Sequence, residues 1–251
     1  MSSWCRPAIL SALAIMMTPA TAYAQIPDGW SGEASLSGSK TSGNTETTDI
    51  GLALKVKNTE GIYRNKFKAT YDLGTVNDKD NKNRLFLGYQ IDRDFNERIY
   101  GFASSNYFRD DFGAYETGYY LGGGLGYNLF FDKPLTWSLE GGFGYRDQQT
   151  HPSGTPGTDD FIDSVTEAEL AARVGSDLEY VFNDAVSFYN NSEILSSASD
   201  TYTWNDTGIT AKLGGNLSAK FGLRIDHHTD VPVGRKNTDT ITRGALVYTM
   251  N

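Results

Sequence analysis

The chain has 251 residues, a formal net charge of −9, and 13% aromatic residues within a modest 39% hydrophobic content. That acidity argues against nucleic-acid binding, which needs clustered Lys and Arg to displace counterions. The single cysteine, Cys5, lies in the n-region of a predicted leader, so the remainder has no disulfide, thiolate nucleophile or cysteine metal site.

Residues 1–24 read as a secretory signal of bacterial type. Arg6 is the only charge before residue 25, Ala8 to Met17 form a short apolar core, and Ala22-Tyr23-Ala24 supplies a small-x-small cleavage pattern. The apolar run is too short to cross a bilayer as a helix, which takes ~20 residues. Cleavage would leave residues 25–251 as one domain and take the charge from −9 to −10, because the leader carries Arg6 and no acid.

From Trp30 the chain alternates with a period of two, the signature of strands with one apolar and one polar face. The first strand sets Trp30, Ala34 and Leu36 against Ser31, Glu33 and Ser35, with a tight turn expected at Ser42-Gly43-Asn44. Ile50, Leu52, Leu54 and Val56 follow, with Lys55 and Lys57 on the other face. After a turn at 58–61 come Phe67, Ala69, Tyr71 and Leu73 against Lys66 and Lys68. A charged loop is expected over Thr75 to Lys82, then a strand with Leu85, Leu87, Tyr89 and Ile91 opposing Arg84. The fifth strand, Arg98 to Phe108, has no clear parity, and Arg109 to Glu116 is expected to be a long polar loop.

Gly118 to Arg146 is the clearest hairpin. Tyr119, Leu121, Leu125, Tyr127, Leu129 and Phe131 share one face, and Gly118, Gly122, Gly124, Gly126 and Asn128 the other. Past Asp132-Lys133-Pro134, Trp137, Leu139, Phe143 and Tyr145 oppose Glu140 and Arg146. The glycine-rich face implies either free space or close backbone approach. No helix follows it, so it is not a nucleotide loop. The longest loop is expected at Gln148 to Phe161. An eighth strand carries Leu170, Ala172, Val174 and Leu178 against Glu167, Glu169, Arg173, Asp177 and Glu179. The ninth, Val186 to Leu195, is weakly patterned. The tenth ends at a Gly214-Gly215-Asn216 turn, and the eleventh sets Phe221, Leu223 and Ile225 against Lys220, Arg224 and Asp226. His227 to Asn237 is expected as a loop before a final strand ending Leu246, Tyr248, Met250.

About twelve strands of the ~9–11 residues a tilted membrane strand needs, with no charge in any apolar set, predict an all-β fold. It is an antiparallel transmembrane β-barrel with short periplasmic turns and longer outer loops. A soluble sandwich would bury the apolar faces against a second sheet but has no reason for the loop asymmetry; a soluble periplasmic barrel is a further, less expected alternative.

Several stretches resemble the YdiY-like family of salt-induced outer-membrane proteins, a family defined by a domain of unknown function. They are Gly29-Trp30-Ser31-Gly32-Glu33, Thr41 to Thr47, Leu139 to Arg146, and Pro232 through Lys236 to Thr238-Asp239-Thr240. The resemblance runs along nearly the whole chain after the leader and implies an outer-membrane barrel, with no established activity attached. At the end the chain departs from such barrels. They finish in an aromatic residue read by the barrel-assembly machinery, whereas this one reads Tyr248-Thr249-Met250-Asn251.

The three histidines, His151, His227 and His228, fall in expected outer loops without a nucleophile motif, so neither hydrolysis nor a metal site is expected, and no cofactor. On a barrel, Lys55, Lys57, Lys66, Lys68, Arg84, Glu140, Arg146, Glu167, Glu169, Arg173, Asp177, Lys220, Arg224 and Asp226 would line the lumen. Mixed signs suit a weakly selective narrow pore for small solutes, or a lumen closed by ion pairs in a structural or surface-binding barrel. Partners expected are outer-membrane lipid, the assembly machinery and small solutes, not nucleic acid.

Overall fold

The computed structural model describes residues 27–250 except 43–46, 77–78, 153, 155–156, 160 and 232–234. The predicted leader and the Gly43-Asn44 turn lie outside the described residues. Twelve strands follow one another: β1 (Trp30–Ser42), β2 (Thr47–Glu60), β3 (Tyr63–Val76), β4 (Lys79–Asp94), β5 (Ile99–Asp110) and β6 (Tyr115–Phe130). Then come β7 (Leu135–Thr150), β8 (Thr166–Asn183), β9 (Val186–Ser196), β10 (Thr201–Gly214), β11 (Leu217–His228) and β12 (Thr238–Met250). Each pairs antiparallel with its sequence neighbours, and β1 closes on β12, so the sheet is a barrel without edges. Leu36 of β1, for example, sits between Leu52 of β2 and Leu246 of β12.

The outer face is a continuous apolar band. Leu121, Leu125, Phe143, Leu170 and Phe221 all stand largely exposed, Phe143 at 76% and Leu170 at 79%. In water such a belt would be far larger than the patches soluble proteins tolerate; in lipid it is the favourable surface.

The five even-numbered strands that precede another strand end in short turns, at 61–62, 95–98, 131–134, 184–185 and 215–216. Gly61 (φ +57°) and Gly215 (φ +54°) supply the left-handed residue that two of them need. At the opposite end the expected asymmetry is weaker than predicted. Only 151–165 and 229–237 are long connections. The charged segment Thr75 to Lys82 is mostly strand, with Thr75 paired to Asp80 across a bulge. The segment from Arg109 to Glu116 contracts to a four-residue connection, 111–114. His227 and His228 end β11 instead of opening a loop, paired with Thr203 and Tyr202. The physical reason is common to all three. Strands of 11 to 18 residues are longer than the bilayer requires, and their ladders continue into water because backbone groups need partners whatever the side chains are.

Bulges locally reset the alternation. One near Asn128 turns Phe130, not Leu129, outward, where it pairs with Trp137 and stacks on it at 6.4 Å.

Candidate functional site

Among the described residues, the inward parity of the barrel bounds an open cavity of about 1070 Å³. Its lining runs from Phe131 and Thr136 beside the short turns to Gly113, His228 and Asp239 at the loop end. Lys55, Lys57, Lys66, Lys68, Arg84, Glu140, Arg146, Arg173, Asp177, Lys220, Arg224 and Asp226 all line it. Glu167 and Glu169 do not. They share that parity but stand higher, at the rim, where Glu169 accepts from the Ser199 amide (3.0 Å) and hydroxyl (2.9 Å) and Glu167 accepts from Gln148 Nε2 (3.0 Å).

Close approach, not free space, explains the glycine-rich wall. A methyl group added at Gly118 would collide with the Phe108 ring, at Gly126 with Tyr100, and at Gly144 with Tyr120. At Gly124 it would strike the backbone of Gly141 and Gly142. Aromatic rings of β5 and β6 therefore lie flat along the lumen wall in the recess that β6 and β7 leave. This also explains the unreadable parity of β5. Its inward residues mix Tyr100, Phe102 and Phe108 with Ser104 and Asn106, and its outward ones mix Ile99 and Tyr107 with Ser105 and Arg109, so neither face reads as purely apolar or polar.

Over that recess the Tyr100 hydroxyl donates to Glu140 Oε1 at 3.0 Å, and Gln90 Nε2 of β4 donates to the same oxygen at 2.8 Å. Arg173 then forks between Glu140 (2.7 Å) and Glu193 (2.7 Å), its guanidinium 5.1 Å from the Phe102 ring centre. Toward the turns, Asp92, fully buried, takes Lys66 at 2.8 Å and Arg64 at 3.5 Å, while Arg64 also binds Asp94 at 2.6 Å.

The other wall is stitched less tightly. Arg243 of β12 reaches Asp72 of β3 at 3.3 Å, Lys55 meets Glu33 at 3.3 Å, and Arg224 meets Asp226 at 2.8 Å with the Tyr202 hydroxyl donating to the same carboxylate. Arg84 of β4 is 3.8 Å from Asp110 and lies within electrostatic reach of Asp226 on β11, almost across the barrel. Lys82 caps Asp49 beside the rim. Among the described residues, Lys57, Lys68 and Lys220 have no carboxylate within 4.0 Å.

At the loop end Asp200 is a knot. It is 2% exposed and follows β9 in the connection 197–200. Its Oδ2 accepts from Arg146 Nη2 (2.9 Å) and His228 Nδ1 (2.6 Å). Its Oδ1 accepts from the amides of Thr229 (2.9 Å) and Asp230 (3.2 Å). Burial pushes its acidity toward the neutral form, but the hydrogen bonds from His228 and Arg146 outweigh that and hold the carboxyl well below the usual range. His228, expected in a solvated loop, is thus a strut that also stacks on Tyr202 at 4.5 Å. His151 stays in its loop, with Nδ1 4.0 Å from Glu116. No group of three or more His, Cys, Asp or Glu among the described residues could hold a metal ion.

Arg64, Asp72, Asp92 and Arg243 share the inward parity of residues predicted for the lumen, and that parity could have found all four; Glu193 and Asp206, on the less clearly patterned β9 and β10, were missed. Asp200 offered no periodic signal.

The family described as "Protein of unknown function, DUF481" matches residues 34–250. The chain belongs to that family. The YdiY-like resemblance is consistent with the match. Among solved structures, the NanC porin is 13% identical, covering 86% of this chain and 98% of its own, with a TM-score of 0.55. The translocator domain of the autotransporter NalP from Neisseria meningitidis is 14% identical, covering 96% of this chain and 93% of its own, with a TM-score of 0.54. At such identities the likeness is of fold alone. No curated protein matches the chain. This DUF481 barrel therefore shares an architecture with proteins that differ in task, and its own task has to be read from its lumen.

Proposed function

We propose that the protein is a narrow passive pore for small solutes in the bacterial outer membrane, with its short turns at the periplasmic side. The observation that carries this is the cavity whose lining extends from the turn end to the loop end and is charged along its length. In the smaller barrels of about eight strands side chains fill the interior, whereas here space remains between the charged walls. Export by the predicted leader and insertion by the barrel-assembly machinery into outer-membrane lipid belong to the same proposal. So does service under salt or osmotic stress, which is supported only by the family resemblance. Planar-bilayer recording of the purified barrel tests the pore. Discrete conductance steps are expected, and their absence over a wide voltage range would remove this function.

A second reading has its own support. Gln90 to Glu140 and Arg243 to Asp72 each link strands three apart, and such links narrow the lumen. Were the lumen closed, the long connections 151–165 and 229–237 would be the working surface of a structural or binding barrel. Deleting them would then abolish function, whereas a pore would continue to conduct.

A further inference from the structure

Lys68 and Lys220 present charge to the lumen with no carboxylate of the described residues within 4.0 Å. Each is held by an aromatic ring instead: Lys68 Nζ lies 5.4 Å from the centre of Phe86, and Lys220 Nζ lies 3.7 Å above Tyr189. A ring face attracts an ammonium through its quadrupole without adding an opposite formal charge. We propose that these two lysines, on β3 and β11, form a station in the middle of the lumen for small organic oxyanions, carboxylates foremost. The assignment names the solute class of the pore proposed above and rests on that reading for its role in transport, though not for binding itself.

The neighbours within electrostatic reach are nearly balanced among themselves. Lys55 is set against Glu33, Arg224 against Asp226, and Arg243 against Asp72. Asp206 is the one acid left to face both lysines, and it accepts the Tyr189 hydroxyl at 3.1 Å. Positive charge therefore remains in excess, inside a chain whose overall charge is −9.

The excess repeats toward the turns. Lys57 stands with Arg64 and Lys66 near Asp92 and Asp94, three cations to two acids. Lys57 pairs with Lys66, and Lys55 with Lys68, two residues further along β3. The two stations are thus about 7 Å apart along the strand at ~3.4 Å per residue. Two weak sites in series let an anion enter one as it leaves the other, which conduction requires and a single tight site prevents. The aromatic rings beside the cations favour an organic skeleton over a bare inorganic ion, because they offer apolar surface at the same point.

The test uses the folded full-length mature barrel in detergent, titrated by calorimetry at low ionic strength with succinate and, separately, inorganic phosphate. Saturable succinate binding is expected, tighter than phosphate, and weakened at least tenfold in the Lys68→Gln/Lys220→Gln double variant. Lys133→Gln, in a turn outside the lumen, removes one charge and should change nothing. Heat-modifiable gel mobility verifies that each variant is folded. If the double variant does not fold, Lys220→Arg keeps the charge and should keep binding, while Lys220→Gln alone should weaken it. Phosphate binding equal to or tighter than succinate would overturn the carboxylate assignment. No saturable binding of either, or binding indifferent to both lysines, would overturn the station. Conductance separates the two proposals. A barrel that binds succinate but passes no current keeps the station and loses the pore. One that conducts without anion preference or binding keeps the pore and loses the station.

Discussion

The Tyr100 hydroxyl reaches Glu140 at 3.0 Å across an intervening strand that carries only Gly126 between them. Tyr100 pairs with Gly126, and Gly126 pairs with Glu140, so the ring fills the place of the side chain that glycine lacks. One absent methyl group thus couples the packing of the wall to the ion pairs of the lumen.

Glycine replacements should sort by what lies over them. Gly126→Ala forces the Tyr100 ring aside, and Gly124→Ala meets unyielding backbone, so each is expected to cost about 1–3 kcal/mol, as overpacking does. Gly124→Ala should be the worse. Gly141→Ala, with nothing within 4 Å, should be neutral or slightly stabilising. Urea midpoints read by heat-modifiable mobility distinguish the three.

Arg173 holds two carboxylates at once. Arg173→Ala leaves Glu140 and Glu193 facing each other with Phe102 uncovered, and a loss of about 2–4 kcal/mol is expected, slightly under the range for a fully buried pair because lumen water solvates part of the charge. Arg173→Lys should recover only part of this, since an ammonium cannot reproduce the fork. The comparison of the two urea midpoints checks it.

Asp200 ties the 197–200 connection to β7, β11 and Thr229. Its carboxyl is held below the ordinary range, so its contribution is present above the unfolded-state value of ~3.9 and is lost as pH falls below that toward the lower folded value. Protease resistance of 197–200 and 229–237 should accordingly be flat from pH 8 to 5 and fall away below about pH 4. Asp200→Asn should lower it at every pH, while the barrel midpoint shifts little.

Phe143 marks mid-strand on the outer face of β7. Phe143→Arg should cost about 2–4 kcal/mol and sharply reduce insertion into vesicles, because the guanidinium would meet hydrocarbon. In a soluble periplasmic barrel the same change would relieve an exposed apolar residue and improve solubility. Vesicle insertion yields separate these outcomes.

Strand number and closure were legible in the sequence because a period of two, repeated about twelve times, needs only local information, and the same period told which face Lys55 or Arg224 shares but not that Glu167 and Glu169 stand above the cavity. The loop lengths were not, because polarity marks where lipid ends and not where the ladder ends, as Lys79 and Asp80 illustrate. His228 and Asp200 were illegible for a similar reason. Their partners are Arg146 and each other, brought together from two strands and a connection far apart in the chain.

By itself the sequence determined that one face of every clear strand is apolar and the other charged, polar or glycine-rich, as a sheet closed around its polar groups requires. The tertiary structure alone decided which of those charges cancel. Closure sets Arg173 between two acids and Arg243 opposite Asp72, yet leaves Lys68 and Lys220 against aromatic rings. Pairing across a barrel depends on register and shear, and neither is written in the alternation of any single strand.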